Sequence, residues 1–133
     1  ILASDTISDF LSGTDKLRIS QAGIAVGNGD TTVDGATTIA GPGGFATSAE
    51  LVIVMANVAA FTAANAAAAI GSASSAYGIG QKALFMVDNG AASALYLFTA
   101  ADANALVSSS ELTLLATLSA TPSRTTGDLI FGP

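Results

Sequence analysis

The chain has 133 residues, four basic and ten acidic, for a net charge of −6, with 11% of its residues charged and neither Cys nor His. An acidic surface with no Lys/Arg cluster argues against nucleic-acid binding and against docking on an anionic membrane. Without Cys or His there is no disulfide, no thiolate nucleophile or ligand, and no imidazole base.

The length fits one domain. Half of the residues are hydrophobic, so low charge goes with high apolar content, the reverse of a disordered chain. Asp5–Ser20 reads as two short extended pieces around a turn. Ile7 and Phe10 are the apolar residues of the first piece, and Ser12-Gly13-Thr14-Asp15 is turn chemistry. Leu17 and Ile19 then alternate with Lys16, Arg18 and Ser20, as in a half-buried strand. The Gly/Thr/Asp-rich segment Gln21–Ser48 follows, with a GNGD turn at Gly27–Asp30. Within Thr31–Ala40 a strand is expected on each side of Asp34-Gly35, a hairpin signal. GPGG at Gly41–Gly44 breaks whatever precedes it.

Glu50–Val58 carries two signals. Thr47-x-x-Glu50 fits a helix capping box, but LVIVM is β-branched and continuously apolar, as in a strand buried on both faces. The strand is the better reading. Thr62 caps an Ala-rich helix over Thr62–Ser72, with Gly71 as its stop. Lys82–Ala100 predicts strands at Ala83–Val87 and Ala94–Phe98 around Asp88-Asn89-Gly90-Ala91-Ala92-Ser93, a hairpin with a loop longer than two residues. Ser108–Glu111 is a further capping box, which predicts a second helix over Ser109–Leu118 with Leu112, Leu115 and Leu118 on one side. Gly127–Phe131 reads as a closing strand. The expected fold is α+β, predominantly β-strands with two short helices, in one domain over residues 1–133. No internal repeat of solenoid period is evident. The longest apolar stretch, Leu51–Phe61, is too short to span a bilayer and contains Asn57, and no signal peptide is expected in ILASDTISDF.

No catalytic constellation stands out. Many Ser and Thr are present, but the usual activating base is missing, and no motif frames a Ser–Lys pair with Lys16 or Lys82. Asp102 and Glu111 are the nearest approach to an acid–base pair, and helix capping explains both. GNGD and GPGG match neither phosphate-binding fingerprint and read as flexible turns. Asp5, Asp9 and Asp15 are hard oxygen ligands of the kind Ca²⁺ prefers. Asp30, Asp34, Asp88 and Asn89 share that chemistry, but turn Asp and Asn most often bond their own backbone.

The opening pattern, Asp5-x-Ile7-x-Asp9-Phe10-x-x-Gly13-x-Asp15-Lys16-Leu17, resembles the segment that closes the calcium-binding RTX β-roll of bacterial proteins exported by type I secretion. Leu84–Gly90, Ala94–Phe98, Asp102-Ala103 and Val107–Leu118 are similar to C-terminal regions of such proteins. The two patches cover about half of the chain, and no intact nonapeptide repeat is present. The resemblance implies that residues 1–20 close a calcium β-roll, with Asp5, Asp9 and Asp15 completing a Ca²⁺ shell, and that residues 21–133 form a strand-rich tail domain. It also implies a secreted, extracellular or cell-surface location and the type I secretion machinery as partner. The function expected is therefore non-catalytic, in export and extracellular folding. The competing expectation is a structural or adhesive module of a surface layer or filament, a homo-oligomer assembled through open sheet edges.

Overall fold

The computed structural model describes residues 4–122 and 124–133, so Ile1–Ala3 of the expected closing segment lie outside the described residues. The strands are β1 (Asp5–Ile7), β2 (Leu17–Ser20), β3 (Thr37–Ile39), β4 (Leu51–Asn57), β5 (Lys82–Asp88), β6 (Ser93–Thr99), β7 (Leu112–Leu118) and β8 (Leu129–Gly132). One helix, α1 (Ala63–Ile70), joins β4 to β5.

Six strands form a mixed sheet in the order β1-β7-β6-β5-β4-β3. Its middle is an antiparallel meander, β5-β6-β7, flanked by parallel pairs on both sides. β2 and β8 make a separate two-stranded parallel sheet. Alternate residues of the central strands serve opposite faces. Val52, Val54, Phe85, Val87, Tyr96 and Phe98 pack with Ala66 and Ile70 of α1. Leu51, Ile53, Leu84, Met86 and Leu95 pack with Leu129 and Phe131 of the small sheet and with Phe10 and Val26. The result is three layers: helix, large sheet, small sheet. β4 is thus the doubly buried strand expected from LVIVM, and β-branched residues suit that position.

α1 begins and ends as its sequence dictates. The Thr62 hydroxyl accepts from Asn65 N at 3.2 Å, and Gly71 ends the helix at φ +75°. The β5–β6 hairpin is also as expected. Asn89 Oδ1 accepts from Ala91 N and Ala92 N, and Asp88 Oδ1 accepts from Gly90 N, which closes the loop.

Two expected elements are corrected. The second helix, Ser109–Leu118, is instead a single 3-10 turn at Ser109–Glu111 followed by β7. Leu95 pairs with Ala116 and Tyr96 with Leu114, so Leu115 is an extra residue, a β-bulge that shifts the phase of the strand. Leu112 and Leu114 therefore pack on the helix side, while Leu115 and Leu118 pack on the small-sheet side. A Leu stripe of period three, which imitates a helix, is here a bulged strand that changes faces. The hairpin around Asp34-Gly35 is absent: only Thr37–Ile39 forms a strand, and it pairs in parallel with β4.

The hydroxyls of two core tyrosines, Tyr77 and Tyr96, have no hydrogen-bond partner among the described residues. Burial pushes both hydroxyls above their ordinary pKa. An unpaired buried hydroxyl costs about 1–3 kcal/mol in desolvation. Tyr77→Phe and Tyr96→Phe are each expected to raise the unfolding free energy, by about 1 kcal/mol. Urea denaturation reads this directly, and a fall in stability for both variants would show that the hydroxyls are satisfied.

Candidate functional site

The first and last strand pairs share a design. β1 lies in the large sheet and the next strand, β2, in the small one; β7 lies in the large sheet and the next strand, β8, in the small one. β1 pairs in parallel with β7, and β2 in parallel with β8. The chain therefore builds two stacked rungs, each a strand–turn–strand that crosses from one sheet to the other. Everything between Ser20 and Leu112 is an excursion between them. The two rungs share Thr6-Ile7-Ser8 against Thr117-Leu118-Ser119, and Asp15-Lys16-Leu17 against Asp128-Leu129. This repeat escapes a search at solenoid period because 111 residues separate Lys16 from Gly127, and Phe10 from Thr121.

The turns of the two rungs are latched side chain to backbone. Asp128 is buried and takes four donors: Ser12 Oγ, Gly13 N at 2.7 Å, Thr125 N at 2.9 Å and Thr125 Oγ1 at 3.2 Å. Lys16 Nζ donates to Gly127 O at 2.6 Å, and Thr121 Oγ1 donates to Phe10 O at 2.8 Å. Burial alone pushes the Asp128 carboxyl up, but the bonds from Ser12, Thr125 and Gly13 outweigh it and hold its pKa below the usual value.

The outer edges of β1 and β2 have no neighbouring strand among the described residues. Ile7 O accepts from Ser119 N, and Gln21 N donates to Gly132 O. By the alternation of a parallel ladder, Thr6 and Arg18 turn their backbone groups to the open side. Between the two sheets at this end lies a cleft of about 300 Å³ lined by Ile7, Leu17, Ile19, Ile24, Leu95 and Leu115, with the charged Asp5 and Arg18 also on its wall.

The three expected Ca²⁺ ligands all lie in or beside this open rung. Asp5 stands in β1 opposite Ala116, Asp9 is exposed just after β1, and Asp15 Oδ2 accepts from Leu11 N at 2.8 Å. Among the described residues no three acidic side chains converge as a metal site.

Elsewhere the buried acids serve as backbone acceptors. Glu50 takes Asn28 N at 3.1 Å and Asp34 N at 2.7 Å, in a cleft of about 430 Å³ that Gln81 and Lys82 also line. Gly27, at φ +59°, has to be glycine, since a Cβ there would lie 1.6 Å from Glu50 Oε1. Glu111 takes Ser108 N at 2.9 Å and Ala101 N at 2.8 Å, so the Ser108–Glu111 box caps a single 3-10 turn and ties in the Ala101 loop instead of opening an α-helix. Glu50, Glu111 and Asp128 each stand immediately before a strand that begins with Leu: Leu51, Leu112 and Leu129. Asp102 is exposed and bonds Asn104. Among the described residues no helix is long and apolar enough to cross a membrane.

No family model, curated protein or solved structure matches the chain.

Proposed function

We propose that this chain is a non-catalytic C-terminal domain of a secreted, RTX-like protein, acting in type I export and in folding outside the cell. The observation that carries the reading is the pair of stacked parallel rungs with an open edge in both sheets. A segment that closes a coil of parallel rungs needs this geometry, with one strand in each sheet and a turn between them. The DTISDFLSGTDKL pattern that prompted the resemblance coincides with the outer rung. Calcium binding at this end, through Asp5, Asp9 and Asp15 with oxygens from a neighbouring coil, belongs to the same reading. The acidic, Cys-free composition suits a chain threaded unfolded through an exporter and folded afterwards.

A second reading draws on the same open edges: a self-assembling module of a surface layer or filament. One experiment separates the two. A reporter carrying the chain at its C-terminus is expressed in cells with and without a working type I exporter. Appearance of the intact fusion in the medium, dependent on the exporter, is the expected result. Retention of an intact fusion, while the exporter still moves its own substrate, would defeat the export role, and concentration-dependent oligomers would then favour assembly.

A further inference from the structure

We infer that the open end is a docking surface for one further strand–turn–strand rung running parallel to β1–β2, and that Asp15 is the acceptor that clasps its turn. The inference rests on the reading of this domain as the end of a stacked coil, and it assigns a partner and a residue role to that end.

The argument is continuity with the rung–rung interface inside the fold. Asp128 stands at the end of its turn, directly before β8. It closes that turn through Thr125 N and clasps the neighbouring rung through Ser12 Oγ and Gly13 N. Asp15 stands at the end of the other turn, two residues before β2. It closes its own turn through Leu11 N to Oδ2, and Oδ1 has no partner among the described residues. One step along the stack, Asp15 is placed to do for an incoming rung what Asp128 does for β1–β2. The incoming turn therefore brings a small hydroxyl side chain followed by a residue that presents its N–H, as Ser12-Gly13 does. Its inward apolar side chains cover the cleft lined by Ile7, Leu17 and Ile19. Its strands take up the backbone groups of Thr6 and Arg18.

A second copy of the chain fits this end less well. Both edges of β7 are occupied, by β1 and β6, so a copy cannot present its β7–β8 rung. It can present β1–β2, but a two-fold axis would set those strands antiparallel, unlike the ladders seen here. The clasp takes Asp15 out of the calcium set proposed above, which narrows to Asp5 and Asp9.

The test adds a rung to the full chain. A copy of residues 4–20 is placed ahead of Ile1, joined by about six Gly/Ser residues, enough to cross the ~10 Å between packed sheets. Native-state hydrogen exchange is followed at Thr6 and Arg18 in chelator and in Ca²⁺, with the Leu84 and Leu95 amides reporting that the domain is folded. The expected result is slowing at Thr6 and Arg18 by about ten-fold or more in both conditions. Asp15→Asn in the original rung, or Ser12→Ala in the added copy, is expected to remove most of it. Asp15→Asn keeps an oxygen for Leu11 N, so the unextended chain should melt as before. No slowing, slowing indifferent to both substitutions, slowing only in Ca²⁺, or slowing that depends on protein concentration would each overturn the inference. Exporter-dependent secretion of the unextended chain alongside any of these results would leave the export reading standing.

Discussion

Arg124→Met is expected to lower the unfolding free energy by about 3–5 kcal/mol, among the largest losses any single substitution produces in this chain. Arg124 is one of only four basic residues, and its side chain is buried. Its Nη1 donates to Asp88 Oδ2 at 2.8 Å and also to Pro122 O. Asp88 is itself buried at the end of β5. Methionine fills a similar volume but leaves the Asp88 carboxylate without its counter-charge, and an uncompensated buried charge is what makes breaking such a pair costly. The pair as a whole is another matter, because desolvation offsets most of the attraction between its members. Asp88→Asn combined with Arg124→Met keeps the bond to Gly90 N and removes both charges. The double variant is therefore expected to regain most of the loss. Urea unfolding of the two single variants and the double variant forms a cycle that measures the coupling. Equal losses for Arg124→Met alone and for the double variant would mean that Arg124 acts through packing or Pro122, not through Asp88.

The place of Arg124 shows what the sequence could and could not disclose. The β5–β6 hairpin, α1, β4 and β8 were legible because their determinants are local: an Asn-Gly turn, a Thr cap with a Gly stop, and short apolar runs of strand length. β7 was not legible, because a bulge at Leu115 gives a strand the three-residue spacing of a helix. The rungs were legible one strand at a time but not as a stack. Parallel pairing of Asp5–Ile7 with Ala116–Leu118 is decided by packing between distant segments, and nothing in either segment names its partner. The acids before Leu51 and Leu112 were visible as capping signals, and Asp128 only as part of the closing strand Gly127–Phe131. Their shared role, holding backbone N–H groups of an adjoining loop beside a strand start, needed the contacts themselves. The open end was half legible: the opening pattern marked the residues, and the structure adds the latch at Asp128 and the free edges.

That latch carries the second large expected effect. Asp128→Ala is expected to cost about 3–4 kcal/mol, since it strands Gly13 N, Thr125 N and two hydroxyls that now bond one ionised carboxylate. The damage should be uneven. The outer rung is held by only three residues of β1 and four of β2, so the latch is a large share of what fixes it. The pH dependence follows from the lowered pKa. Above the usual carboxylate range Asp128 is ionised in both folded and unfolded chains, and the latch contributes in full. As pH falls, the unfolded chain takes up the proton first, so the contribution shrinks and is gone once the folded carboxyl is protonated too. Asp128→Asn is therefore expected to be less stable than the parent at pH 7 and to lose less on acidification toward pH 3. Urea unfolding across that range, with hydrogen exchange at Ile7 and Ile19, checks both halves. Parent and variant curves that stay parallel in pH, with exchange at the outer rung unchanged, would mean that the rungs are held by their ladders and apolar contacts alone. If the curves converge and the outer rung opens, the Asp128 carboxylate carries more of the order of β1 and β2 than the Lys16 and Thr121 bonds beside it.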